Sequence, residues 1–432
     1  MGDDASKKDR PEPMVSTEKQ LRDLRELLEV AKALSIEKDF DALIDLIVDA
    51  ANRVMEAERS SLYIYDAETD ELWTKIAHGA ERFRIKVGQG IAGTVAQCRE
   101  VINMTDADSD PRHFKGIDKK SGFHTRTMLT GPLVNHRGKL IGVLQLLNKT
   151  TEPHYFTDYD VELLEAFGAH IAVMLDQARL VEEYVAKQKL EHDLQLAREI
   201  QQGLLPKETP ELERFDIYGW SEACDETGGD YFDYIPMEDG RLGLVIADVT
   251  GHGVGPALIM ASTRAFARAG ASIGGSLDEL LAHVNDQLSA DLGGGRFVTL
   301  FWGLLDADNA TFEYSSAGHG HPVIYRAETD TIDELESTAP PLGIMKGIEF
   351  PVGARSRMVP GDILLMTTDG IEEAMDPKSK EYSRERLRET LCKHAKGTAR
   401  EIAEGIHNDV VAFMAGAAQR DDLTMVVVKA TG

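Results

Sequence analysis

Cysteine is scarce in this sequence. Cys98, Cys224 and Cys392 are the three in 432 residues, and they lie far apart. That spacing excludes a disulfide framework and a cysteine-rich zinc site. Free thiols fit a reducing compartment, so a cytoplasmic setting is expected. Long apolar runs are also missing: none approaches the roughly 18 residues that a membrane-spanning helix requires. The opening stretch MGDDASKKDRPEP has no apolar segment of the kind a signal peptide needs. Positive charge is in deficit, with 47 Lys and Arg against 74 Asp and Glu, a net charge of −27. Nucleic acids and anionic membranes select basic surfaces, so neither is expected as a partner. What remains is the composition of a soluble globular chain, 42% apolar and 28% charged, long enough for two or three domains.

Periodicity divides the chain. Residues 1–16 are polar with two prolines and read as a disordered tail. Helical spacing follows over about 17–35 and 38–56; in the second, Phe40, Leu43, Ile44, Ile47, Val48 and Ala51 fall on one face. Two hairpins come next, SSLYIYD with ELWTKIAHG, then TMLTGPLVNH with KLIGVLQLLNK. Between them VGQGIAGTVAQ reads as a glycine turn into a short helix, a structural turn in preference to a phosphate cradle. Thr157 to Leu205 is predicted as one uninterrupted helix ended by Pro206, about 70 Å long. Leu190, Leu194, Ala197 and Leu204 follow a coiled-coil spacing with polar Gln201 inside it, and the phase slips near Lys187–Lys189. This stretch, 179–206, is expected to be a helical linker after a first domain at 17–178. From there to residue 432, strand-like runs with helices between them predict an α+β sandwich.

Aspartates in that second half sit at strand ends. Asp230 lies in TGGDYFDY, Asp248 ends LVIADV, Asp369 ends ILLMTTD, and Asp421 with Asp422 precedes LTMVVVK. Each alone is most simply a turn residue. Were they to converge, one pair at 4 Å would repel by about 4 kcal/mol in an intermediate dielectric. Such a cluster stays apart, takes up protons or binds divalent cations. All-oxygen ligands favour magnesium or manganese, and two such ions can activate a water in line with a phosphorus atom. Zinc lacks nitrogen or sulfur partners at sensible spacing.

These motifs resemble, in order, those of the SpoIIE-like (RsbU-type) branch of the PPM metal-dependent serine/threonine phosphatases. The run is LAREIQQGLLP, TGGDYFDY, ADVTGHGVGPALIMA, FVTLFWGLLD, SSAGHGHP, PLGI, GDILLMTTDGIEEA and RDDLTMVVV. The resemblance implies an αββα sandwich and two divalent cations, manganese or magnesium. It implies that Asp248 bridges both ions and the Val249 carbonyl completes one site. Asp369 and Asp421 hold the second ion, and Asp230 binds directly or through water. It further implies a phosphoprotein substrate, usually an anti-sigma-factor antagonist. Thr250 stands where animal-type relatives carry a histidine, so His252 is open between proton donor and structural residue; His319 and His321 read as loop packing.

The first domain, over about 22–178, resembles a GAF sensory domain, an α/β fold. Asn148, Lys149, Phe156 and Asp160 match a signature of cyclic-nucleotide-binding GAF domains, with Val161 departing from it. That resemblance implies a small-molecule ligand such as a cyclic nucleotide, or a domain that only dimerises. A homodimer through the GAF helices and linker is expected. Two other functions compete with the phosphatase: a catalytically silent interaction protein, and a nucleotide cyclase suggested by TGGDYF. Tyr231 stands where a cyclase needs an acidic residue.

Overall fold

A computed structural model describes residues 15–37, 39–76, 83–112, 123–293 and 295–432. Residues 1–14 of the expected tail, and 77–79 of the first hairpin, lie outside them. The chain forms two compact units, Met1–Gln188 and Lys189–Gly432.

In the first unit, α1 (Thr17–Ile36) and α2 (Phe40–Val54) precede a sheet of six antiparallel strands. These are β1 (Ala57–Asp66), β2 (Glu71–Ile76), β3 (Phe83–Lys86), β4 (Ile102–Met104), β5 (Met128–Val134) and β6 (Leu140–Lys149), in the order β3-β2-β1-β6-β5-β4. The short helix α3 (Gly90–Cys98) follows the predicted glycine turn. α2 starts where expected because the Asp39 carboxylate accepts from the Ala42 amide at 2.8 Å, satisfying a first-turn donor. Its apolar stripe, Leu43, Ile44, Ile47, Val48 and Ala51, is buried against the sheet with Phe167, Ile171 and Leu175 of the following helix. Both predicted hairpins form, pairing β1 with β2 and β5 with β6.

The long helix α4 runs Asp158–Gln202 without a break. Its first turns are buried through Leu175, whereas 180–193 are exposed throughout. Leu180, Val181, Tyr184, Val185 and Leu190 are apolar residues left at the surface of that stretch.

The second unit is a sandwich of two antiparallel five-stranded sheets. One holds β8 (Tyr231–Pro236), β9 (Leu242–Val249), β10 (Val298–Asp306), β11 (Thr311–Ala317) and β14 (Ser356–Arg357). The other holds β7 (Phe215–Glu222), β12 (Val323–Arg326), β13 (Thr331–Glu334), β15 (Ile363–Thr367) and β16 (Leu423–Ala430). Strands of period two bury both faces. Leu244 and Ile246 meet Leu364, Met366, Val426 and Val428 between the sheets. Val245 and Ala247 face α5 (Val254–Ile273) and α6 (Leu277–Asp291). Leu365, Met425 and Val427 face α8 (Arg384–His394) and α9 (Ala399–Met414). The layers are helix, sheet, sheet, helix, and the α+β expectation holds.

Several elements were not foreseen. β7, FDIYGWSE, mixes polar residues and a glycine into its apolar pattern, and pairing with β16 decides it. α8 is so charged that it buries only Leu387, Thr390 and Leu391. Asp369 does not end a strand: β15 stops at Thr367, and Asp369 opens the one-turn helix α7 (Asp369–Glu372).

Candidate metal centre

Carboxylates from both sheets gather in the second unit. Asp230 immediately precedes β8, and Asp248 is the penultimate residue of β9. Asp369 begins α7, directly after β15, and Asp421 lies just before β16. Burial drives the Asp230 carboxyl well above its ordinary range, and Asp248 and Asp422 add repulsion. Asp248 is pushed up to about 7, by burial first and then by Asp369, Asp421 and Asp422. Asp421 is raised by burial and by Asp369 and Asp422, and lowered by the backbone amide of Asp422 and by His252. The charged neighbours acting on Asp230 and Asp248 are all carboxylates. Burying anions together without a counter-charge is costly, and such groups take up protons or cations.

Among the described residues, no group of three or more His, Cys, Asp or Glu side chains is placed as it stands to hold a metal ion. Magnesium-type ions keep several waters and draw one or two carboxylates each, so an open set of oxygen donors suits them. Carboxylate oxygens of this kind fit hard divalent cations.

The residue that organises this cluster was not singled out in the sequence. Asp422, 3% exposed, is a hub of backbone contacts. Its Oδ1 accepts from the Cys224 amide at 2.8 Å, and its Oδ2 accepts from Gly229 at 2.7 Å and Asp230 at 3.3 Å. One carboxylate thus fixes the loop that presents Asp230. Nearby backbones pack so tightly that side chains are excluded. A Cβ on Gly370 would lie 2.1 Å from the Asp422 carbonyl oxygen, and one on Gly229 would lie 2.8 Å from the Val249 carbonyl oxygen. Thr368 donates from Oγ1 to Asp230 Oδ2 at 2.7 Å and accepts from the Thr424 amide at 3.1 Å, tying Asp230 to the other sheet. The only signal in the sequence was the doubling of aspartate at 421–422.

His319 is a packing residue, as expected, and its place is informative. Burial lowers its pKa to about 4, so the ring is neutral. Its Nε2 bonds the Thr367 carbonyl at 3.1 Å, and its Nδ1 pairs with Thr299 Oγ1 at 3.0 Å. The Nε2–H donates to that carbonyl, which leaves Nδ1 to accept from the threonine hydroxyl. Thr299 stands opposite Asp248 in the β9–β10 ladder, and Thr367 ends the strand before Asp369. One imidazole therefore fastens the two sheets behind two members of the cluster. His321 is exposed. His252 is 64% exposed and its Nδ1 lies 2.6 Å from Asp225 Oδ2.

Gln201, expected as a polar break in a coiled-coil seam, is half-buried and engaged. Its Nε2 donates to the Gly228 carbonyl at 2.5 Å, and its Oε1 accepts from the Gly228 amide at 3.0 Å. The end of α4 therefore grips the same loop that Asp422 holds.

In the first unit the signature residues bind one another. Lys149 Nζ lies 2.8 Å from Asp160 Oδ1, 3.2 Å from Glu56 Oε2 and 3.0 Å from the Met55 carbonyl, which occupies all three ammonium donors. Phe156 packs under it at 5.8 Å. Asp160 also accepts from Thr157 N at 2.7 Å. Asn148, at φ 56°, accepts from Arg126 N and donates to Glu58 and the His124 carbonyl. Among the described residues, the polar side chains of Asn148, Lys149 and Asp160 all have partners within the fold.

Comparison with known proteins agrees with the geometry. The Stage II sporulation protein E (SpoIIE) family matches residues 238–431, and the GAF domain family matches 39–175. Protein IcfG of Synechocystis is 30% identical over 265 residues, 55% of this chain and 41% of IcfG. Phosphoserine phosphatase RsbU of Bacillus subtilis is 24% identical over 243 residues, 56% of this chain and 71% of RsbU. The cGMP-specific 3',5'-cyclic phosphodiesterase of Drosophila melanogaster is 32% identical over 205 residues, 42% of this chain and 18% of that enzyme. Among solved structures, the SiaA-PP2C domain of Pseudomonas aeruginosa aligns with TM-score 0.51 at 21% identity, covering 56% of this chain and 98% of that one. The second unit thus has a PP2C-type phosphatase fold. Residues 39–175 match the GAF family and residues 238–431 the SpoIIE family, each match covering less than half of this chain.

Proposed function

We propose that this chain hydrolyses phosphoserine or phosphothreonine on a protein with the help of two divalent cations, manganese or magnesium. The observation that carries this is the gathering of carboxylates from two sheets, with Asp248 held at about 7 by burial and by Asp369, Asp421 and Asp422. In this reading Asp248, the Val249 carbonyl, Asp369, Asp421 and Asp230 would hold the cations, Asp248 being the ligand shared between them. Bound, the cations supply neutralisation of the phosphoryl oxygens and an acidified water. The chain's own part is to hold these donors in place, through Asp422, Thr368 and His319, before substrate arrives.

The substrate we infer is an anti-sigma-factor antagonist, by likeness to RsbU, in a cytoplasmic signalling pathway. The GAF domain, at about 17–178, is read as the sensor. Its likeness to a cGMP-specific phosphodiesterase supports a cyclic nucleotide as ligand. A homodimer through the linker, 179–206, would cover the apolar residues exposed on α4. Sedimentation showing a monomer at micromolar concentration would count against it. The grip of Gln201 on Gly228 supports a route by which the helix acts on the Asp230 loop.

The decisive measurement is release of phosphate from phosphoserine peptides. Manganese should support it and chelation should abolish it. Full turnover in excess chelator would remove the metal-dependent reading.

A further inference from the structure

Beside the carboxylate cluster lies a cavity of about 210 Å³. Met375, Met414, Ala374, Glu373 and Arg420 line it, together with Gly370 and Asp421 of the cluster's own loops. At ~30 Å³ per water it holds roughly seven waters' worth of volume. That is below the range of about 300–1,000 Å³ for small-molecule pockets. It suits one amino-acid side chain rather than a nucleotide. Two methionines give it an apolar, adaptable wall.

Arg420 is the second observation. It is exposed, its Nη1 rests 2.9 Å from Met375 Sδ, and among the described residues it has no carboxylate partner. This is notable in a chain of net charge −27. The loop carrying it is fixed, because Gln419 Nε2 donates to the Glu222 carbonyl at 3.1 Å and to the Asp421 carbonyl at 2.9 Å. An acidic surface repels acidic substrate segments, and an unpaired planar guanidinium gives such a segment one place to land.

We propose that this cavity is the subsite for the residue flanking the substrate's phosphoserine: an apolar side chain fills it against Met375 and Met414, and Arg420 pairs with a neighbouring carboxylate of the substrate. The assignment rests on the phosphatase reading above. The test uses the full chain with manganese. Its substrates are phosphoserine peptides that differ only in the flank, Leu or Ser in one pair and Asp or Lys in another. p-Nitrophenyl phosphate serves as a substrate without a flank. Arg420→Glu should lower the ratio of kcat/KM for the Asp peptide to that for the Lys peptide about 10-fold or more. Ala418→Phe, at an exposed position on the cavity rim, should lower the ratio for the Leu peptide to p-nitrophenyl phosphate by a similar factor. Unchanged ratios in both variants overturn the subsite while leaving the phosphatase intact. A loss in Arg420→Glu that is equal for the peptides and for p-nitrophenyl phosphate places the guanidinium on the phosphate and also overturns it. Wild-type protein that turns over none of these substrates removes the phosphatase reading and the subsite with it.

Discussion

Asp248→Asn should abolish phosphatase activity and yet stabilise the metal-free protein. Folding raises the Asp248 pKa from an ordinary 3.8 to about 7, through burial and the fields of Asp369, Asp421 and Asp422. A carboxyl raised in the folded state contributes fully below its unfolded pKa, and that contribution is lost as pH rises through its folded pKa. The window is therefore about pH 4 to 7. Above it, the metal-free folded state must hold the charge that burial opposes. Raising the carboxyl from 3.8 to about 7 corresponds to at most ~4 kcal/mol at pH 8. Asparagine is close in shape and carries no charge, so it removes this term at pH 8. The assay is thermal unfolding at pH 8 in excess chelator, following the transition of the second unit. At about 2–4 °C per kcal/mol for a unit of this size, the variant should melt several degrees higher than wild type. At pH 5 the difference should shrink. Manganese should then reverse the order, stabilising wild type far more than the variant. A variant no more stable than wild type in chelator at pH 8 would refute the charge argument. Wild-type turnover by the variant would refute the assignment of Asp248 as the bridging ligand.

Other outcomes follow from the same geometry. Asp422→Asn leaves the five proposed ligands in place but loses an acceptor for the loop amides; its manganese requirement should rise about 10–100-fold, read from activity titrations and calorimetry. Lys149→Met strands the buried Asp160 carboxylate and should cost the GAF domain about 3–5 kcal/mol, seen as a lowered first transition. If Lys149 contacts a cyclic nucleotide instead, the loss will appear in calorimetry with cAMP or cGMP and not in the melt. Inserting one residue before Leu190 turns everything downstream by about 100°. Activity should change sharply with one to three inserted residues and recover near seven, about two turns of a coiled-coil seam; indifference to length would make the helix a tether.

The sequence by itself determined which segments are helix or strand wherever the apolar period was unbroken. α2 and the first half of α4 carry a stripe at helical spacing, and β9 and β16 carry apolar residues for two buried faces. Local chemistry sufficed there, because one residue's preference and its neighbours' pattern agreed. A capping residue sets one start, Asp39 for α2, whereas α4 stops at Gln202, three residues short of the expected end at Leu205. The aspartates could be marked as candidates, since motif order is a property of the chain. Their convergence could not be read, because Asp248 and Asp421 are far apart in sequence and come near each other only when β9 and β16 lie in facing sheets. The same holds for Asp422, whose three amide partners are 192 to 198 residues away along the chain. β7 took its form from pairing with β16, and α8 took its place from the few apolar residues it buries. Gln201 looked like a flaw in a helical seam until its partner, the Gly228 backbone, was known. A polar side chain announces a need for hydrogen bonds, and only the tertiary structure decides which groups meet it.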